Sequence, residues 1–236
     1  QQDIAAVVSR AINEVEKQVM SNIDAGQYTM FDVAISEQTS ERINAACNDA
    51  AKRTAEQLAK DLEGNAVPLT GPYGQSIVEL GAQSAAKIEE SLNVITDDVR
   101  KVITANAQKD KNELRAILSA RFKSVYSESR LKAIANTTAA SVTSGSQLAT
   151  YKRLGYNYIW LTEQDGRVRP SHALMEGRVV GSDGYFEVPI VKITKNPDGS
   201  EQEQIIGYER TERPLGDGLS ASGAVNCRCQ LFPVKQ

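Results

Sequence analysis

The sequence predicts an α+β protein: an N-terminal region of long antiparallel helices, then a small mixed α/β domain with β-hairpins. Three observations carry this. Apolar residues recur at helical spacing as far as Leu154. The pattern then shortens abruptly after Gly155, and the short aromatic or β-branched runs that follow are separated by Gly, Pro, Asn and Asp. At 236 residues the chain is longer than a usual single domain and can bury a sizeable core. The expected division is residues 1–130, helical with a hinge at 64–74, and residues 131–236, α+β.

Taken in order, Ile4, Val7, Val8, Ile12, Val15 and Val19 form the first helical stripe. The second is Ile43, Cys47, Ala50, Ala51, Leu58 and Leu62, closed by Gly64 as the residue that ends the helix in the left-handed conformation. Cys47 lies within this alanine-rich stripe and is expected to pack as a small buried thiol. "GNAVPLTGPYG" has the glycine and proline density of a loop. Ile77, Leu80, Ile88, Leu92, Ile95, Val99 and Val102 then predict one long helix, with no breaker after Gly81. Leu114, Ile117, Leu118, Phe122 and Val125 mark a fourth helix. Leu131, Ile134, Ala135, Thr138 and Val142 mark a fifth, running to Leu154.

Beyond Gly155, "YNYIWLTE" reads as a strand covered on both faces. Asp165-Gly166 suits a two-residue hairpin turn, and Pro170 opens a short helix, "PSHALMEG", that Gly177 closes. "FEVPIVKIT" and "EQIIGYE" predict a hairpin around the solvated tip "KNPDGSEQ". "ERPLGDGLSASGA" is a loop, and "CRCQLFPV" is the closing strand, with both cysteines in it.

Composition excludes several classes of function. Hydrophobic residues make up 41% and charged residues 24%, as in ordinary globular proteins. From Tyr151 onward there are 11 basic and 11 acidic residues, leaving 27 − 11 = 16 basic and 30 − 11 = 19 acidic before it. Neither part has the basic excess of a sequence-independent nucleic-acid binder. No apolar run reaches the ~20 residues of a membrane span, and the N-terminus lacks the apolar core of a secretory signal, so the chain reads as cytosolic in origin. Gln1 in place of methionine points to a processed or partial chain. Three cysteines make no disulfide framework.

The residues with chemical potential cluster late. On a strand, Cys227 and Cys229 share a face while Arg228 points away. With His172, the single histidine, they are ingredients of a tetrahedral zinc site to which Asp165 or Asp183 could add a fourth ligand. The alternative is that the thiols pack into a small core and His172 hydrogen-bonds nearby carbonyls or carboxylates. Arg167 and Arg169 also share a face, for an anion or for pairing with Asp165, Glu163 or Glu176. No glycine-rich oxyanion turn precedes either cysteine, and "GDGLSASG" lacks the lysine of a phosphate-binding loop, so no catalytic residue is assigned.

In shared order, Trp160, Asp165, Arg167, Arg169, His172, Gly177, Asn226, Cys227 and Cys229 resemble the signature of the head morphogenesis family of tailed bacteriophages, the Mu F-like minor head proteins. The resemblance runs from about Leu131 to Phe232. One departure is "IANTTAAS", with Asn136 and Thr138 where that family usually carries an arginine and a glutamate. The resemblance implies a non-enzymatic virion protein at the portal vertex, acting in head assembly, genome packaging or ejection. Its implied partners are the portal protein and capsid or scaffold proteins, with weak DNA contact and no membrane. It also implies that the clustered residues are either a structural zinc site of His172, Cys227, Cys229 and Asp165 or a buried polar network. Two rival roles are a delivery module of a toxin chain whose effector part is missing, and a DNA-contacting internal head protein.

Overall fold

Each helical stripe becomes a helix whose ends fall where the sequence puts its caps and breakers. The computed structural model describes residues 2–27, 33–65, 67–125 and 127–235. Helices α1 (Gln2–Asp24), α2 (Glu37–Glu63), α3 (Gly71–Ala105), α4 (Lys111–Val125) and α5 (Glu128–Leu154) come first. Ser36 caps α2, its Oγ accepting the Thr39 N–H at 3.3 Å. Asp110 caps α4, its carboxylate taking the N–H groups of Asn112 and Glu113 at 2.8 and 3.0 Å. Gly64 and Gly155 end α2 and α5 with φ of 73° and 75°. The segment at 64–74 is less of a loop than its composition implies: helix α3 already begins at Gly71, with Pro72 in the first turn, where its missing N–H costs nothing. Ala66 lies outside the described residues.

By packing, the chain forms two compact units: Gln1–Ala50 with Gly81–Ala139, and Ala51–Leu80 with Ala140–Gln236. Among the described residues, every element of the first is a helix. Its core joins Ile4, Val8, Val15 and Val19 of α1 to Ile88, Leu92, Ile95 and Val99 of α3 and to Leu114, Leu118 and Phe122 of α4. Cys47 is fully buried in it, and burial pushes its thiol up to about 11, as suits inert packing. Gly81 permits a close approach: a Cβ there would lie 2.8 Å from the Cα of Asn48. Gly81→Ala is therefore expected to cost about 1–3 kcal/mol through overpacking, read as a lower urea midpoint at unchanged slope.

The second unit contains strands β1 (Asn157–Leu161), β2 (Val179–Val180), β3 (Phe186–Lys195), β4 (Glu201–Thr211) and β5 (Gln230–Val234), with short helices α6 (Pro170–Ala173) and α7 (Ala221–Ala224). A three-stranded antiparallel sheet has the order β2-β1-β5, and β3 and β4 form a separate ribbon. The predicted hairpin around "KNPDGSEQ" is this ribbon, with a bulge at Ile190/Val191. Trp160, Tyr158, Tyr151, Phe186, Met175 and Leu231 form the core, and the Tyr151 hydroxyl donates to the Leu231 carbonyl at 3.2 Å. The part of α5 in this unit is built of small residues that bond to backbone. Ser146 donates to Ala51 O at 3.2 Å and Ser144 to Pro214 O at 2.8 Å.

Two local expectations change. Asp165-Gly166 makes no β-hairpin, because the chain turns directly into α6 and returns as β2. The Asp165 carboxylate accepts the Arg167 N–H at 3.0 Å, a side-chain-closed turn that competes with strand pairing. Cys227 and Cys229 are not part of the closing strand either. They lie in an unpaired segment between α7 and β5, entered through Asn226 at a φ of 56°.

Candidate metal centre

Two separate pieces of chain converge on one buried point. Pro170 opens α6 and so fixes His172, which is 1% exposed; the segment after Asn226 delivers Cys227 and Cys229, 4% and 7% exposed. His172 Nδ1 lies 3.5 Å from Cys227 Sγ and 3.4 Å from Cys229 Sγ. All three ligand atoms lie within 4.8 Å of one another. Zinc bonds of about 2.3 Å to sulfur and about 2.05 Å to nitrogen, at a tetrahedral angle, imply an N···S edge of about 3.5 Å. The donor set and its spacing therefore fit a tetrahedral metal. As hydrogen bonding alone the arrangement is oversubscribed, because a neutral imidazole nitrogen has one in-plane lone pair and two sulfurs face it.

The electrostatics agree with two sulfurs sharing one proton. A hydrogen bond from Cys229 holds Cys227 as the more acidic thiol, against burial and with help from His172. Cys229 is pushed the other way, first by the same bond to Cys227 and then by burial. Trp160, fully buried on β1, stands edge-on to the His172 ring with centroids 5.5 Å apart, and its indole N–H favours the Cys229 thiolate. Neither Trp160 Nε1 nor His172 Nε2 has a hydrogen-bond partner within the usual distance. The result is a buried polar centre with Trp160 packed against it.

The remaining signature residues form the frame. Gly177, at a φ of 76°, donates its N–H to the Trp160 carbonyl at 2.9 Å, tying the end of the α6 turn to β1. Arg169 donates to the Val225 carbonyl, joining α6 to the segment that carries the cysteines. Asp165 does not join the metal-ligating group: its carboxylate holds Arg228 at 2.6 Å and lies 3.6 Å from Arg167. Asp183 lies elsewhere, in the cleft lined by Tyr185 and Arg210. Arg228 is the residue that faces away from the thiols, and it reaches the turn that begins α6.

The Arg228 guanidinium, followed by the Arg167 N–H, holds the Asp165 carboxyl down at about 2. A lowered carboxyl stabilises the fold above its unfolded value near 4, and that contribution disappears as pH falls through the folded value. Asp165→Asn is accordingly expected to lower the melting temperature slightly at pH 6, with the gap from the unmodified protein closing between pH 4 and pH 2. A gap that stays constant across that range would show that the ion pair adds nothing.

Sequence reasoning named Glu176 only as a partner for the arginines and missed Arg213. Glu176 accepts the Thr162 N–H at 2.6 Å and Gln164 Nε2 at 2.9 Å, bracing the turn after β1. Arg213 is 7% exposed within the segment read as a plain loop. Glycine density hid it, although an arginine beside Pro214 and the apolar Leu215 was a signal.

What the fold and site define is a helical protein carrying a small α+β unit with a buried His/Cys/Cys cluster just before its last strand. The family described as Phage Mu protein F like protein matches residues 93–232, which include every residue of the cluster and reach back into α3. The chain belongs to that family, a family of phage head morphogenesis proteins. No curated protein and no solved structure matches the chain significantly. Among the described residues, no helix is long and apolar enough to cross a membrane.

Proposed function

We propose that this chain is a non-enzymatic minor head protein that binds the portal vertex and acts in head assembly, genome packaging or ejection. The observation that carries it is the family match across residues 93–232. The site supports the same reading: its polar residues are spent on joining chain segments to one another. The long amphipathic helices of the first unit suit protein partners. Co-expression with the portal protein of the same genome tests the proposal. Stable co-purification is the expected result; a folded chain that does not associate would favour the toxin-delivery or DNA-contact role.

In this reading, His172, Cys227 and Cys229 hold a structural zinc ion that ties α6 to the start of β5. A small, loop-rich unit has limited core, so a metal clip across a long loop adds what packing alone does not. Metal analysis of the purified protein is expected to give close to one equivalent of zinc; well under one would sink the assignment.

A further inference from the structure

We infer that the metal bound by His172, Cys227 and Cys229 takes its fourth ligand from outside the described residues of this chain, as a carboxylate. This rests on the zinc reading above. Structural zinc takes four ligands, and the described residues supply three. Asp165 and Glu176 are engaged elsewhere, and Glu163, which lines the adjoining cleft, lies outside the metal-ligating group. Asp165 is bound to Arg228, and Glu176 holds the Thr162 N–H and the Gln164 amide. The cluster opens instead onto a small cleft whose other walls include Arg167, Arg169, Arg228, Asn226 and Glu163. The room at its base suits a single ligand atom, which favours a one-oxygen contact over a bulky group.

Charge selects the ligand. Zinc with two thiolates and a neutral imidazole carries no net charge, so the ion itself does not demand an anion. The cleft does, because three guanidinium groups border it against two carboxylates, that of Glu163 on its wall and that of Asp165, which Arg228 and Arg167 share, an excess of one positive charge. Arg167 is the most available of the three, its side chain 80% exposed and its nearest acid, Asp165, 3.6 Å away. A water ligand would leave that excess charge unanswered at the metal, whereas a carboxylate can coordinate with one oxygen and face the guanidinium groups with the other. The Arg-x-Arg pair thereby acquires a role that loop closure alone does not give it. The source that suits a head protein is an acidic side chain on its protein partner.

The full chain loaded with cobalt(II) in place of zinc separates the outcomes. Thiolate-to-cobalt charge transfer in the near-ultraviolet reports the Cys227 and Cys229 ligands, and the visible bands report the fourth position. Titration with acetate at constant ionic strength is expected to shift the visible bands and saturate. N-acetylglutamate amide is expected to do the same, as a partner's side chain would. Arg167→Ala should weaken acetate binding about threefold, the effect of one exposed charge, and Arg167→Lys should restore most of it. Visible bands indifferent to acetate, under intact charge transfer, would overturn the inference. So would a band shift in Glu163→Gln without added acetate, which would place the fourth ligand within the chain. Absence of charge transfer would instead remove the zinc reading on which it rests.

Discussion

Chelating the metal is expected to lower the melting temperature of the Trp160-containing unit more than any surface substitution, and added zinc should restore it. With free zinc about a thousandfold above its dissociation constant, linkage gives about 4 kcal/mol. That is a large part of the stability of a small unit. The single tryptophan is a local reporter, because Trp160 stands edge-on to His172 and, at 5.2 Å between ring centroids, to Phe186. Cys227→Ser and Cys229→Ser should each abolish the response to chelator. Cys47→Ser should leave that response intact, since Cys47 packs in the core of the other unit. If unmodified protein melts identically with and without chelator, the two thiols and His172 are a packed polar cluster, and the closure of β5 rests on the sheet alone.

The helices were legible because their information is local. Gly64 and Gly155 stop α2 and α5, and the apolar stripe of α3 has no breaker after Gly81. The β3–β4 ribbon was legible for the same reason: its partners are neighbours in sequence around an Asn-Pro-Asp-Gly tip. The pairing of β1 with β5 was not, because Trp160 and Leu231 meet across a long stretch of chain and no local signal specifies a non-local partner. Asp165-Gly166 misled because the same dipeptide serves a hairpin or a side-chain-closed turn, and Pro170 decided for the turn. At the site, spacing put Cys227 and Cys229 on one side with Arg228 opposite. That holds in the structure although the segment lies outside the strand, because an extended chain alternates its side chains whether or not it is paired. The place of Asp165 was legible in part: pairing with Arg167 was one of its readings and holds at 3.6 Å, but its nearer partner, Arg228, comes from a distant stretch of chain that no local signal specifies.

Replacing Arg213 by alanine should cost about 3 kcal/mol, because it removes a buried donor and leaves several buried oxygens without a partner. Its guanidinium Nη1 faces four oxygens: Ser141 O at 3.2 Å, Ser141 Oγ at 3.4 Å, Pro214 O at 3.3 Å and Leu215 O at 3.2 Å. Burial lowers its pKa, opposed by Asp217 and then Glu212. The segment is shaped around it. Leu215 is buried at a φ of 58°, Thr211 Oγ1 donates to the Arg213 carbonyl at 2.8 Å, and a Cβ at Gly216 would lie 2.1 Å from Thr211 Oγ1. Arg213→Met separates volume from hydrogen bonding. It keeps most of the apolar stem but leaves the carbonyls without a donor, so it should recover only part of the loss, while Arg213→Lys, with three donors and no planar fork, should recover more. The same segment leads through α7 to Asn226 and the two cysteines. Loss of Arg213 should therefore also weaken zinc binding, although Arg213 lies outside the metal-ligating group. Equal stability and equal zinc affinity in Arg213→Met would mean that the backbone around position 213 holds its shape without the charge, and that the cysteines are positioned by β5 and Arg169 alone.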